Sequence, residues 1–209
     1  MTRPAAETRG RILKAAVVLF ARHGYAGAGV RAIVARARVN QAAINYHFGG
    51  KDGLYHAVLA TAFTALTRDQ SLDAATLAAL PREEALRRFV RGQLRPLTAR
   101  DEVGRYLQIF NWENVQPTPV FKNFLTQEAA PFLSLATELM RRFLPSQAGT
   151  KTVLLAAIWL LGQCSVFVRS REQFAMPGSP LRMTVDEAFL DDLADLISAW
   201  AIGGLAHAA

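Results

Sequence analysis

At 209 residues the chain is long enough for one sizeable core, or for a small domain joined to a larger one, and a 51% hydrophobic content excludes a disordered chain. Cys164 is the single cysteine, which excludes an internal disulfide and a cysteine-rich zinc site. The formal charge of +7 is uneven: residues 1–60 hold nine Lys and Arg against Glu7 and Asp52, while the 15 basic and 15 acidic residues of 61–209 cancel. A basic module joined to a neutral one is the pattern of a protein that meets phosphates at one end.

The four histidines, His23, His47, His56 and His207, show no ligand spacing, so neither a metal nor a cofactor is expected. The polar start Met1–Glu7 lacks the apolar centre of an export signal, and a cytoplasmic protein is expected. No nucleophile elbow, phosphate loop or dinucleotide fingerprint occurs, and the carboxylates are scattered along amphipathic stretches, so an enzyme is not expected.

The periodicity predicts an all-α chain without internal repeats. A first helix is expected over residues 6–22, with Ile12, Leu13, Ala16, Leu19 and Phe20 on one face and Gly24 as its stop. A short helix over 30–37 turns Val30, Ile33 and Val34 inward. After a tight break at Arg38-Val39, Asn40 is a good N-cap for a third helix, 41–47. Gly49-Gly50 ends it. A fourth helix starts near Lys51 and carries Leu54, Val58, Leu59, Ala62 and Phe63 at helical spacing.

Further along, Pro81 reads as a first-turn proline of a helix bearing Leu86, Phe89, Val90 and Leu94. Another helix covers 101–115. Thr118-Pro119 reads as the N-cap and first position of a helix towards Leu144, interrupted at Pro131. An apolar helix spans 150–174. Its uncharged stretch, 152–168, contains Gln163 and is at the lower limit for crossing a bilayer, so burial at a core or subunit interface is expected and no membrane partner. Residues 176–180 form a loop. Thr184 and Glu187 form a capping-box signature for a last helix to about 202, with Phe189, Leu193, Leu196, Ile197 and Trp200 inward.

Three short helices with a tight turn between the second and third match helix-turn-helix geometry, in which the third helix lies in the major groove of DNA. Gln41, Asn45, Tyr46 and His47 offer polar groups to base edges. Ala42 and Ala43 permit close approach, while Ile44 and Phe48 anchor the helix. Gln and Asn pair with adenine through two hydrogen bonds, and an Ala methyl touches a thymine methyl. Asn40 caps the helix or faces a phosphate. Lys51, beside the free N–H groups of a helix start, suits a phosphate. Arg31, Arg36 and Arg38 flank the groove. Each of these residues alone has an ordinary surface, capping or packing role; only the ensemble points to DNA.

Those residues also carry a family likeness. Ile12-Leu13-Lys14-Ala15-Ala16, Leu19-Phe20, Gly24-Tyr25, Val30-Arg31-Ala32-Ile33, Val39-Asn40 and the run Tyr46 to Leu54 resemble the DNA-binding region of the TetR family of one-component regulators. Residues 113–119 and 161–167 are similar to its CecR-like branch. The resemblance implies an all-α homodimer with a helix-turn-helix domain (1–50) and a larger helical domain (51–209) that dimerises and binds a small effector. It gives Gln41, Ala43, Asn45, Tyr46 and His47 DNA contacts, and Lys51 a phosphate.

Three departures stand out. Ala28-Gly29 replaces the usual Ser or Thr cap of the second helix, a loss of about 1 kcal/mol if Ala occupies the cap. Arg38 replaces a common Gly in the turn and has to accept a positive φ. Asn45 stands where an aromatic residue is usual, which favours direct base reading.

For the effector, the residues suggest a cavity among Phe110, Trp112, Phe121, Phe124, Phe132, Met140, Phe143, Trp159 and Phe167, most of which fill the core. The candidate ligand contacts are Arg105, Phe110, Asn111, Trp112, Glu113, Trp159, Gln163 and Phe167. The helices near 152–170 and 186–202 are the expected dimer interface. The expected function is therefore a repressor released from a near-palindromic operator by a small, largely apolar effector, with the fourth helix as relay. The alternative is a DNA-binding activator or an effector-independent DNA binder.

Overall fold

A computed structural model describes residues 3–67, 74–99, 102–128 and 130–206. His207 and the side chains of Arg3, Pro131 and Phe132 lie outside the described residues, as does Asp101 at the expected start of one helix. Every regular element among the described residues is helical. The helices are α1 (Arg3–Gly27), α2 (Val30–Ala37), α3 (Ala42–Phe48), α4 (Lys51–Thr67), α5 (Ala74–Ala79), α6 (Arg82–Leu94), α7 (Glu102–Val115), α8 (Pro119–Gln127), α9 (Ala130–Arg141), α10 (Thr150–Arg169), α11 (Arg171–Ala175) and α12 (Glu187–Ala206), with a 3-10 turn at Arg95–Leu97.

They form two compact units, Met1–Leu66 with Arg100–Glu128, and Thr67–Ala99 with Ala129–Ala209. In the first, α1 packs on α2, α3 and α7. Ile12, Ala16 and Phe20 of α1, Ile33 of α2, Ile44 of α3 and Leu54, Tyr55, Val58 and Leu59 of α4 are wholly or almost wholly buried. Gly24 interrupts α1 with φ 66° and ψ −178°, so the expected stop is a sharp break within a longer helical stretch. Arg38 closes α2 in the left-handed region, at φ 54°, as its place in the turn requires. Gly29 at the start of α2 makes no side-chain cap bond. Pro81 precedes α6 as its N-cap rather than occupying its first position, because its ψ of 142° is extended.

In the second unit, α12 and α10 pack on α6, and α10 on α9. The α6 face of Leu86, Phe89, Val90 and Leu94 is buried. Arg91 reaches Asp191 at 2.6 Å and Glu187 at 2.8 Å, and Arg87 pairs with Asp195, lacing α6 to α12. Arg142 donates to the carbonyls of Leu77 and Leu80 at 2.9 and 2.6 Å, satisfying oxygens at the end of α5.

Three expectations here need correction. The cap of α12 is Asp186, whose Oδ1 accepts from Phe189 N at 2.9 Å, rather than Thr184; the aspartate lies one residue before the helix and is the nearer acceptor. The buried stripe of α12 is Leu190, Leu193, Ala194, Ile197 and Ala201, whereas Leu196 and Trp200 are exposed. Small Ala194 and Ala201 allow close approach to a neighbour, which the bulky residues of the other face do not. The apolar helix expected over 150–174 breaks at Ser170 into α10 and α11. By length and composition, 150–175 is apolar enough to cross a membrane, and part of it is buried in this unit.

Candidate nucleic-acid interface

The interface is built on α3. Asn40 Oδ1 accepts from Ala43 N at 3.0 Å, so the expected cap forms. Ile44 faces inward, and Phe48 is half-buried with the Arg9 guanidinium 4.9 Å from its ring centroid. On the opposite side Gln41, Asn45 and Tyr46 are exposed, Tyr46 to 81%. Ala43 and His47 are half-buried, and the His47 ring stands edge-on to Tyr46 at 4.9 Å. Arg31 and Arg38 are exposed. The α3 segment thus presents hydrogen-bonding groups outward over one apolar anchor, as a groove-reading helix requires.

Lys51 is held in a way that sequence spacing does not disclose. Its Nζ lies 4.4 Å from the centre of the Tyr25 ring, a cation–π contact. The Tyr25 hydroxyl in turn donates to Asp52 Oδ1. Burial, then the bond and charge of Asp52, push the Tyr25 phenol up to about 12. The start of α4 is therefore pinned to the end of α1 by a phenol that stays protonated. Gly53 completes the joint: a Cβ there would lie 1.9 Å from the Phe48 carbonyl oxygen, so α4 approaches the end of α3 with no room for a side chain.

A second polar cluster links α4, α7 and α8. Glu113 is 2% exposed, and its Oε1 accepts from Tyr55 Oη at 2.6 Å and Thr118 Oγ1 at 3.0 Å. Its Oε2 accepts from Thr118 N at 2.7 Å. A buried carboxylate is tolerated because it is so fully hydrogen-bonded. Burial foremost, and Glu113 next, raise the Tyr55 phenol far above its ordinary range. Thr118 also caps α8 through Phe121 N at 3.1 Å, as expected. Glu113 therefore acts as an internal joint.

The other candidate ligand contacts lie in different places. Phe110 sits edge-on to Phe121. Arg105, Asn111 and Trp112 line a groove against α1, and Trp112 Nε1 donates to the Ala21 carbonyl at 3.0 Å. The Trp112 ring lies where a Cβ on Gly24 would be 3.1 Å away, so the break in α1 and the indole fit each other. Trp159, Gln163 and Phe167 belong to α10 in the second unit, Trp159 exposed and the other two half-buried. Among the described residues no group of three or more His, Cys, Asp or Glu side chains is placed to hold a metal ion.

Residues 12–58 match the model of bacterial regulatory proteins of the tetR family, and residues 82–205 match that of the C-terminal domain of the HTH-type transcriptional dual regulator CecR. The chain is 46% identical over 77 residues to the HTH-type transcriptional repressor Rv3405c of Mycobacterium tuberculosis, covering 32% of this chain and 41% of that protein. It is 34% identical over 115 residues to the HTH-type transcriptional repressor AcnR of Corynebacterium glutamicum, covering 55% and 54%. The matches thus span about two fifths to half of these relatives' lengths. In fold, the chain is similar to a TetR-like transcriptional regulator from Rhodococcus, with TM-score 0.66 at 20% identity over 95% of this chain and 96% of that one. It is likewise similar to the fatty acid degradation regulator FadR of Bacillus halodurans, with TM-score 0.66 at 19% identity over 94% and 98%. The likenesses are to regulators, a non-enzymatic class. With one family model matched at the helix-turn-helix and a second across residues 82–205, the chain belongs to the tetR family of bacterial regulatory proteins and carries a C-terminal domain of the CecR type.

Proposed function

We propose that this chain is a cytoplasmic repressor that grips a near-palindromic operator as a homodimer and lets go when a small, largely apolar effector binds. The observation that carries the reading is the outward polar face of α3, capped by Asn40 and anchored by Ile44, inside the module that holds the whole charge excess. In this reading Gln41, Ala43, Asn45, Tyr46 and His47 face base edges, and Arg31, Arg38, Asn40 and Lys51 face phosphates. Likeness to proteins named repressors favours repression over activation.

The homodimer is supported by apolar residues left in water on the second unit: Leu155, Ile158, Trp159 and Val166 on α10, with Leu196 and Trp200 on α12. Such a face calls for a partner, and a second copy satisfies it isologously. A two-fold axis sets the two α3 helices one DNA turn apart, roughly 34–36 Å. Effector contacts fall to the half-buried Gln163 and Phe167 of α10, with Trp159 at the border with the dimer face. A preference of the ligand for the badly spaced dimer, worth about 1–3 kcal/mol, changes operator affinity roughly 5–150-fold.

Selection of genomic fragments by the purified protein, followed by mobility shift with and without candidate effectors, tests this. A near-palindromic site whose affinity falls on effector binding is expected. Sequence-tolerant binding, or affinity unchanged by every ligand that binds, contradicts it.

A further inference from the structure

Two grooves of about 600 Å³ each adjoin along α1, the first between α1 and α7 and the second also bordered by the end of α2, and they share Val18 and Arg105. The first is lined by Val18, Ala21, Trp112 and Val115 along its apolar side, with Arg22, Gln108 and Asn111 at the rim. The second collects Arg11, Lys14, Arg36 and Arg38 around the same Arg105. The numbering of both helices rises in the same direction along the seam, so it has a polarity: a cationic end near Lys14 and an apolar end near Trp112 and Val115.

Among the described residues the cationic end gathers five Arg and Lys side chains against the single carboxylate of Glu102. Among the described residues, no ion pair engages Arg11, Lys14, Arg36, Arg38 or Arg105. Among the described residues Glu102 is the one carboxylate lining the grooves, and its Oε1 accepts from Tyr106 Oη at 3.0 Å. At the other end Val115 is 75% exposed and Trp112 37%. Clustered cations that outnumber their counter-charges attract an anion, and apolar surface left in water beside them favours a ligand with an apolar body.

We infer that the α1–α7 seam is a binding site for a small amphipathic anion, a phosphate ester with a compact apolar body, its phosphate on Lys14, Arg105 and Arg36 and its body over Val18, Ala21 and Val115. This site lies within the first unit and is chemically unlike the largely apolar effector proposed above. It gives Arg105 and Asn111 a ligand shared with α1. It rests on the regulator reading only for its biological use.

The test is titration of the full chain, without DNA, by 1-naphthyl phosphate, with binding followed calorimetrically and inorganic phosphate as the bare-anion control. Saturable binding of one equivalent per chain is expected, tighter than inorganic phosphate. The double variant Lys14→Ala/Arg105→Ala, both exposed positions, weakens it by about tenfold or more, as loss of two charge-assisted contacts requires. Val115→Ala weakens naphthyl phosphate by about threefold and leaves inorganic phosphate unchanged, matching a fraction of one buried apolar group. Arg88→Ala, in the Glu84 pair on α6, leaves both unchanged. Equal affinity in wild type and the double variant overturns the site. So does an unaltered naphthyl phosphate isotherm accompanied by lost DNA affinity and a shallower salt slope, which would make the seam a strand contact. Failure of the wild type to select any DNA site, with the isotherm as expected, would sink the regulator reading and leave the site standing.

Discussion

The faces that α3 and α10 leave in water have opposite chemistry. At α3, Gln41, Asn45 and Tyr46 stand outside a single anchor, Ile44. On α10, one face of Val153, Ala157, Leu160, Cys164 and Val168 is buried, while Leu155, Ile158, Trp159 and Val166 remain outside. A polar face rests in water at little cost and suits a partner that comes and goes. An apolar face forgoes about 25 cal/mol for each Å² it leaves wet, so it suits a partner that stays. The first pattern fits intermittent contact with DNA, the second a permanent subunit.

The sharpest way to break this contrast is to damage the mounting of one face and leave the other alone. Gly53→Ala drives a methyl into the Phe48 carbonyl, 1.9 Å from the Cβ position, and should cost about 3 kcal/mol or more in chemical denaturation, at the upper end of overpacking effects. Ile158→Asp places a charge on the apolar face; it should shift sedimentation from dimer to monomer, a loss of about 3 kcal/mol or more of association. Tyr55→Phe removes one of the bonds to buried Glu113 and should cost about 1–3 kcal/mol, read as a lower denaturation midpoint.

A weaker effect is read through pH. The Tyr25 phenol is raised to about 12, so the folded state holds its proton more tightly than the unfolded chain. That contribution is fully present below the ordinary tyrosine range near 10, and fades as pH rises from there to about 12. Tyr25→Phe should flatten part of the alkaline loss of stability in that window, as followed by urea denaturation at successive pH values.

Local features were legible in the sequence because neighbours determine them. The span of α2 and the Asn40 and Thr118 caps each follow from a few adjacent residues, and the positive φ of Arg38 from the glycine that the family commonly has at that place. What was not legible came from alternatives too close in sequence to separate, or from partners too far apart. The cap of α12 fell to Asp186, two residues from the expected Thr184, and the face it buries depends on packing against α6, a helix about 100 residues away in sequence. Trp112 and Ala21, or Tyr55 and Glu113, are 91 and 58 residues apart, and no spacing rule joins them. The joints that hold the candidate DNA-reading module are mostly of this second kind.

DNA selected from a random library by wild type, Asn45→Ala and Lys51→Ala should separate the two roles. The Asn45 variant should lose discrimination at one position per half-site, worth about 1–3 kcal/mol there, and the Lys51 variant should weaken all sequences alike with a shallower salt slope. Wild-type selectivity and salt dependence in both variants would contradict the placement of α3 in the major groove.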